Sequence, residues 1–392
     1  MTIEGELTLR LAWDGQRVTG VDLRSTRPFI ASRLFAGRTP ADVVTMAPLL
    51  YSVCAHAHGV AAAGALEAAA GRKPSSATIA GRRLCVVLET IQEHLWRLLL
   101  DWPIAMGRAG EIPPVATARR AIAPILAALV PLARRIDGSD GTPADCDVSG
   151  LATSLNRLAA THVYGAAPDA WLACADDDAI AAWAQGGQTL PARLFQELLS
   201  DAPNLARSDV ALMPATQRRA LAAAVLPALR GDPAFAQAPS WNGAPVETGA
   251  LARARAHPFV AAIGACCGNA VPSRIAARLT ELALLLRQLE AGKIDETYAP
   301  WADAFALDAG EALGVVQTAR GLLLHYARVD SGRVVAYRIV APTEWNFHPA
   351  GALVHGLAAL VANDEQRLVR EARLAVQALD PCVICRVEVA HA

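Results

Sequence analysis

Lysine is almost missing from this sequence. Lys73 and Lys293 are the only two in 392 residues, so arginine carries nearly all the positive charge. Charged residues make up 19% of the chain and the formal net charge is −1. No basic stripe and no patch of cations interleaved with aromatics occurs, which excludes the usual footprint of a nucleic-acid binder. Long hydrophobic runs are missing too. The stretch from Ala121 to Ala133 is apolar but short, and Pro124 and Pro131 interrupt it. A spanning helix needs about 18 to 20 apolar residues, so no membrane segment is expected. The opening Met1–Glu6 has no basic region followed by an apolar one, so no cleaved secretion signal is expected either. The eight cysteines are Cys54, Cys85, Cys146, Cys174, Cys266, Cys267, Cys382 and Cys385. Spread this thinly, they do not read as a disulfide framework. A reducing cytoplasm is the expected location, and there a close cysteine pair points to metal or redox chemistry.

What is present is apolar and helix-forming: hydrophobic residues account for 53% of the chain, enough for a large packed core. Residues 6–25 read as a hairpin, because Leu7, Leu9 and Leu11 alternate with polar neighbours and Asp14-Gly15 supplies the turn. Thr39-Pro40 reads as a helix start, with Thr39 as cap and Pro40 in the first turn. Alanine- and leucine-rich helices are expected near 53–70, 81–105, 114–135, 150–161 and 213–229. Another near 273–291 spaces Ile275, Leu279, Leu282 and Leu286 three and four apart. Residues 321–329 and 333–340 read as two strands joined by Asp330-Ser-Gly332, followed by helices near 350–361 and 364–378. Segments 138–143 and 237–245 are loops by their turn chemistry. With no internal repeat and no low-complexity linker, one α+β, mainly helical domain over 1–392 is expected, with small antiparallel strands near both ends.

Chemistry-bearing residues are few. Cys382-Val-Ile-Cys385 places two thiols three residues apart, a spacing that lets both turn toward one soft metal. Two buried structural thiols would look the same, since cysteine packs well as a small hydrophobe. Cys54-Ala-His-Ala-His58 lies on an alanine-rich helix, where such residues are commonly just core or surface. Arg320 stands at a strand entrance, ordinarily a solvated position. Pro342-Thr-Glu-Trp-Asn346 ends the second of the two strands.

The order of these segments resembles the large subunit of nickel–iron hydrogenases. That family opens with an Ile-Glu-Gly-His strand, and Ile3-Glu-Gly-Glu6 is similar, with Glu4 at the family's early glutamate. Its arginine- and glycine-containing helix leading into Cys-Gly-x-Cys-x-x-x-His resembles Leu34-Phe-Ala-Gly-Arg38 and then Tyr51-Ser-Val-Cys54-Ala-His-Ala-His58. Further along, Gly249-Ala-Leu-Ala-Arg253, Thr318-Ala-Arg-Gly321, Pro342-Thr-Glu-Trp-Asn346 and Asp380-Pro-Cys-Val-Ile-Cys385 fall into register. The likeness spans nearly the whole chain, with 75–240 the most divergent part. It implies a large-subunit-like helical core.

By that likeness, Cys54 and Cys385 fall on the two cysteines that bridge nickel and iron, and Cys382 falls on a terminal nickel ligand. The other terminal nickel thiolate is replaced by Tyr51. Arg320, Pro342 and Thr343 match groups that hold the iron's cyanides, and His58 matches a histidine supporting a bridging cysteine. The family's closing histidine is Glu388 here, and the chain stops at Ala392, so the family's tail-cleavage step is not expected. Losing one nickel-only sulfur should weaken nickel more than iron. The whole pattern resembles the HupK/HoxV-type hydrogenase expression and formation proteins, non-catalytic relatives of the large subunit. It implies a scaffold that transiently holds an iron–dicyano–carbonyl unit, with Cys54 and Cys385 as the iron's thiolates and Cys382 assisting entry or release, and in which nickel is not expected. The partners implied are iron-cyanide assembly proteins and the hydrogenase large-subunit precursor. The alternatives are a divergent hydrogenase or hydrogen sensor, with Tyr51 or water completing the site, and a structural binder whose cysteines hold nothing or a stray zinc. Cys85, Cys146, Cys174, Cys266 and Cys267 match no ligand position and read as core or surface thiols. His325, His348 and His355 are candidates for the outer lining.

Overall fold

The structure is a computed structural model and describes residues 5–139, 146–173, 177–214, 218–294, 301–358 and 360–391, the side chains of 177–181 excepted. Ile3, Glu4, Cys174 and most of the loop at 138–143 lie outside the described residues. The alternating leucines form the expected hairpin of β1 (Leu7–Trp13) and β2 (Val18–Ser25), with Leu7, Leu9 and Leu11 buried on one face. Thr39 caps α1 (Pro40–Leu50): its side chain accepts from Asp42 N, and the Asp42 carboxylate accepts from Thr39 N in return.

After α1 the chain turns through 105° by way of one 3₁₀ turn, Ser52–Cys54, into α2 (Ala55–Ala69). Almost every residue of α2 is buried, and its small side chains let the neighbouring strands come very close. α3 (Ser76–Trp96) continues through a π turn, Arg97–Asp101, into the short helix Trp102–Ala105. α4 (Ile112–Ala133) packs along α3. Contrary to the expectation from its prolines, α4 is long and apolar enough, by length and composition, to reach across a membrane. Within the fold it buries Val115, Ala118, Ile122, Leu126, Leu129 and Ala133, a stripe with the three-and-four spacing of a helix packed on one side. α5 (Val271–Glu290) is the spine of the helical part, with Leu279, Leu282, Leu285 and Leu286 fully buried.

The second sheet has four antiparallel strands in the order β3 (Ala302–Asp308), β4 (Glu311–Thr318), β5 (Gly321–Asp330), β6 (Arg333–Val340). Sequence patterning found β5 and β6 but not β3 or β4. The reason is that β4 is covered on both faces, which erases alternation. Leu313 and Val315 pack toward Val225, Leu229 and Trp345, while Gly314 lies against α2. α6 (Pro342–Asn346) and α7 (Glu365–Leu379) follow.

The last strand, β7 (Cys385–His391), was not foreseen. It runs parallel to β1 with Leu7 opposite Cys385, giving a sheet in the order β2-β1-β7. Both expected antiparallel pieces are present, the first hairpin and β5–β6 in the four-stranded sheet, and β7 adds a parallel strand to the first of them. Leu7 N donates to Ile384 O at 2.9 Å, which seats the 380–385 segment beside the start of the hairpin. The α+β, mainly helical reading holds.

Candidate metal-holding site

Three irregular segments meet at one point: the bend between α1 and α2, the β4–β5 turn, and the stretch from α6 to β7. Cys54 ends the 3₁₀ turn at the bend and precedes the first turn of α2. That turn is capped from a distance, because the Glu89 carboxylate accepts from His56 N and Ala57 N, both at 3.0 Å. An acid facing helix N–H groups satisfies donors that have no partner within the helix. Burial nevertheless pushes Glu89 up to about 7, with those two N–H groups working against the shift.

Arg320 sits in the β4–β5 turn, held from all sides. Its N and that of Gly321 donate to Thr318 Oγ1, and its carbonyl accepts from Asn346 Nδ2 at 3.0 Å. Gly321 has φ +133° and a Cβ there would come 2.5 Å from Thr248 Cγ2, so only glycine fits. Arg253 braces the turn from behind, donating to Thr318 O and to both oxygens of Glu281. So fixed, the Arg320 guanidinium reaches Cys54 Sγ at 3.2 Å, Glu93 Oε2 at 2.6 Å and Asp380 Oδ1 at 3.2 Å.

Asp380 is the hub of the arginines. It closes α7 in the left-handed conformation, and its buried carboxylate also meets Arg97 at 2.6 Å and Arg278 at 3.1 Å. Burial works against its charge, but Arg320, Arg97 and Arg278 together hold it well below the usual carboxylate range. The residues of α6 divide the remaining tasks. Pro342 starts the helix, and Thr343 Oγ1 lies 3.0 Å from Cys382 Sγ while accepting from Cys382 N. Glu344 pairs with Arg27 at 2.7 Å, Trp345 is fully buried, and Asn346 ties Thr248 N to Arg320 O.

Between these segments lies a small cavity of about 50 Å³, room for about four water molecules or a handful of heavy atoms. Its polar lining is Arg27, Tyr51, Cys54, His58, Glu344 and Cys382, and Ile30, Ile339 and Val383 supply apolar wall. Arg27 Nη1 donates to Cys382 Sγ at 2.7 Å. Each cavity thiol thus has its own guanidinium, Arg320 on Cys54 and Arg27 on Cys382. Burial pushes the Cys54 thiol well up, with Arg320 opposing and Glu89 adding.

The structure sorts the expected site residues. Cys54, Cys382 and His58 line the cavity; Arg320 and Thr343 stand behind the sulfurs, and Pro342 fixes the turn that carries Thr343. Cys385 departs from the expectation that it pairs with Cys54. It is already part of β7, and strand alternation puts it on one face with Val387, both lining a separate depression beside α7. Burial alone raises its thiol to about 12, with no charged neighbour acting on it. His58 does not contact Cys54 by a hydrogen bond. Its Nδ1 meets His325 Nε2 at 3.0 Å, and its ring stacks on Tyr51 at 4.1 Å. His325 thus joins the outer lining, next to Tyr337 at 2.7 Å, while His348 and His355 make their contacts elsewhere.

Arg27, Glu344, Glu89 and Glu93 escaped the sequence reading. Glu344 occupies the variable position of Pro-Thr-x-Trp-Asn, which was the one available signal. Arg27 is 355 residues from the sulfur it touches, and no local spacing announces such a contact.

Among the described residues, no three His, Cys, Asp or Glu side chains converge as a ready-made metal site. Tyr51 presents a phenol that burial raises to about 12, and a fixed cation already stands on Cys382.

Comparison with known proteins shows the family and the fold. The nickel-dependent hydrogenase family profile matches residues 259–388. The chain is 35% identical to the hydrogenase expression/formation protein HoxV of Cupriavidus necator, over 100% of this chain and 98% of that one. It is 31% identical to the hydrogenase expression/formation protein HupK of Azotobacter vinelandii, over 99% of both. In three dimensions it resembles a reduced, active nickel–iron–selenium hydrogenase from Desulfomicrobium baculatum, with a TM-score of 0.62, 16% identity and 95% of each chain covered. That last likeness is one of fold.

Proposed function

This chain belongs to the hydrogenase expression/formation proteins, and on that premise we propose that it is a non-catalytic accessory in building a nickel–iron hydrogenase. Its task is to hold an iron–dicyano–carbonyl unit as cargo, received from iron-cyanide assembly proteins and passed to a large-subunit precursor in the cytoplasm. The observation that carries this reading is the pair Cys54 and Cys382 lining one small pocket, each sulfur already met by a hydrogen-bond donor.

Both thiols must lose a proton to bind metal. Arg320 and Arg27 favour that loss by standing beside the sulfurs, and the buried carboxylates around them keep the arginines in place. Once the sulfurs are bound, Arg320 and Thr343 are the donors for the anionic cyanides, with Pro342 fixing the turn. Two thiolates in place of four suit temporary holding.

The test is infrared spectroscopy of the anaerobically purified full chain, produced with the iron-cyanide assembly machinery. Cyanide and carbonyl bands are expected in the wild type, lost in Cys54→Ala and in Cys382→Ala, and kept in Cys385→Ala. A wild type without those bands would refute the holding role. Bands lost in Cys385→Ala but kept in Cys382→Ala would instead assign the iron to the other cysteine.

A further inference from the structure

We infer that Arg27 is a built-in counter-cation that closes the Cys382–Glu344 end of the cavity to bare divalent metal ions; the iron–dicyano–carbonyl unit proposed above carries two cyanides on its Fe(II) and brings no net charge for Arg27 to repel. Three side chains lining the cavity meet there. Arg27 Nη1 donates to Cys382 Sγ at 2.7 Å, and Arg27 Nε meets Glu344 Oε1 at 2.7 Å. The arginine and glutamate side chains are only 8% and 6% exposed. The other carboxylate oxygen, Glu344 Oε2, is buried and has no hydrogen-bond partner among the described residues.

A thiol and an underused carboxylate oxygen facing one space are the beginnings of a zinc- or nickel-type donor set. The cation such a set would gather is already present, covalently part of the chain. A guanidinium does not lose its proton in a protein, so this cation does not leave by titration. Two features keep it in register. Arg27-Pro28 follows β2 after a single residue, Thr26, and β7 pairs with β1 so that residues 380–385 lie against the start of the hairpin. Tyr51, stacked on His58, occupies the adjoining wall with a neutral ring. Arg320, by contrast, stands behind Cys54 outside the lining, so the Cys54 end carries no such plug.

The arrangement accounts for a pocket that rejects a second metal by charge, and not merely by the lack of a fourth sulfur. At an effective dielectric near 20, a guanidinium within about 5 Å of a divalent ion repels it by more than a hundredfold in affinity. That the remaining space serves a single iron rests on the holding role proposed above. The exclusion of divalent ions does not, so either can fail without the other.

The experiment uses the full chain, anaerobic, titrated with Ni²⁺ alone and with Zn²⁺ alone. Bound metal is read by equilibrium dialysis, and thiolate-to-nickel charge-transfer absorption reports the sulfur. Wild type should show no tight site. Arg27→Met should bind one equivalent at least about 100-fold more tightly, with the charge-transfer band, and Arg27→Met/Cys382→Ser should lose both. Arg27→Lys keeps the charge and should stay closed. Equal affinity in wild type and Arg27→Met, or a lysine variant as open as the methionine one, overturns the inference. If Arg27→Met does not fold, Arg27→Gln, neutral but still able to donate to Glu344, is titrated in its place, and Cys382-dependent uptake is expected. A folded Arg27→Gln that takes up no metal overturns it equally.

Discussion

Asp380→Asn is the substitution on which most of the site's architecture can be tried at once. The Asp380 carboxylate is 1% exposed and lies within 2.6 to 3.2 Å of Arg97, Arg278 and Arg320. Asparagine keeps the shape and removes the charge, leaving a buried cluster of guanidinium groups short of its anion. Removing one partner of a buried ion pair costs about 3–5 kcal/mol, and at this depth solvent screening takes little of it away. With an unfolding entropy near 2 cal/mol/K per residue, 392 residues give roughly 0.8 kcal/mol/K. The expected loss is therefore about 4–6 °C in melting temperature, read by scanning calorimetry at neutral pH. The acid limb supplies a second readout. Asp380 is held below its ordinary value, so its stabilisation is complete above the unfolded value near pH 4 and is lost as the pH falls further. The variant should lack that part of the acid loss, so the two proteins should converge at low pH. A variant that melts within about 1 °C of wild type, with the same acid limb, would refute the assignment of Asp380 as the anion that organises the arginines.

Glu89 behaves in the opposite sense: burial raises it to about 7, so its favourable contribution is full below its unfolded value near pH 4.5 and is lost as the pH rises through 7. Denaturant titrations should find that wild type loses up to about 3 kcal/mol between pH 4.5 and pH 8 through this group, and that Glu89→Gln is flatter over the same range. Gly314→Ala should cost about 1–3 kcal/mol, because its Cβ would come 2.3 Å from Ala61 O where α2 lies on β4; an unchanged urea midpoint would show that the two can separate freely. Thr39→Ala removes the capping box of α1 and should cost about 1 kcal/mol, with Thr39→Ser restoring most of it in the same titration.

Local rules wrote the elements whose reasons are local. Alternating leucines and Asp14-Gly15 specified the first hairpin, Thr39-Pro40 the start of α1, and the three-and-four spacing of Ile275, Leu279, Leu282 and Leu286 the spine helix. The order of motifs also identified the family and two of the cavity's thiols from the sequence alone. What the tertiary structure decided is which of the marked residues meet. β4 was invisible because both of its faces are buried, and β7 because its partner β1 lies at the other end of the chain. That one parallel pairing turns Cys385 toward a separate depression and leaves Cys382 with Cys54. Arg27 likewise became part of the site only when β1 and β7 brought residues 27 and 382 together. Periodicity and caps act over a few residues, whereas a cavity is made of contacts hundreds of residues apart, and only the folded chain brings those together.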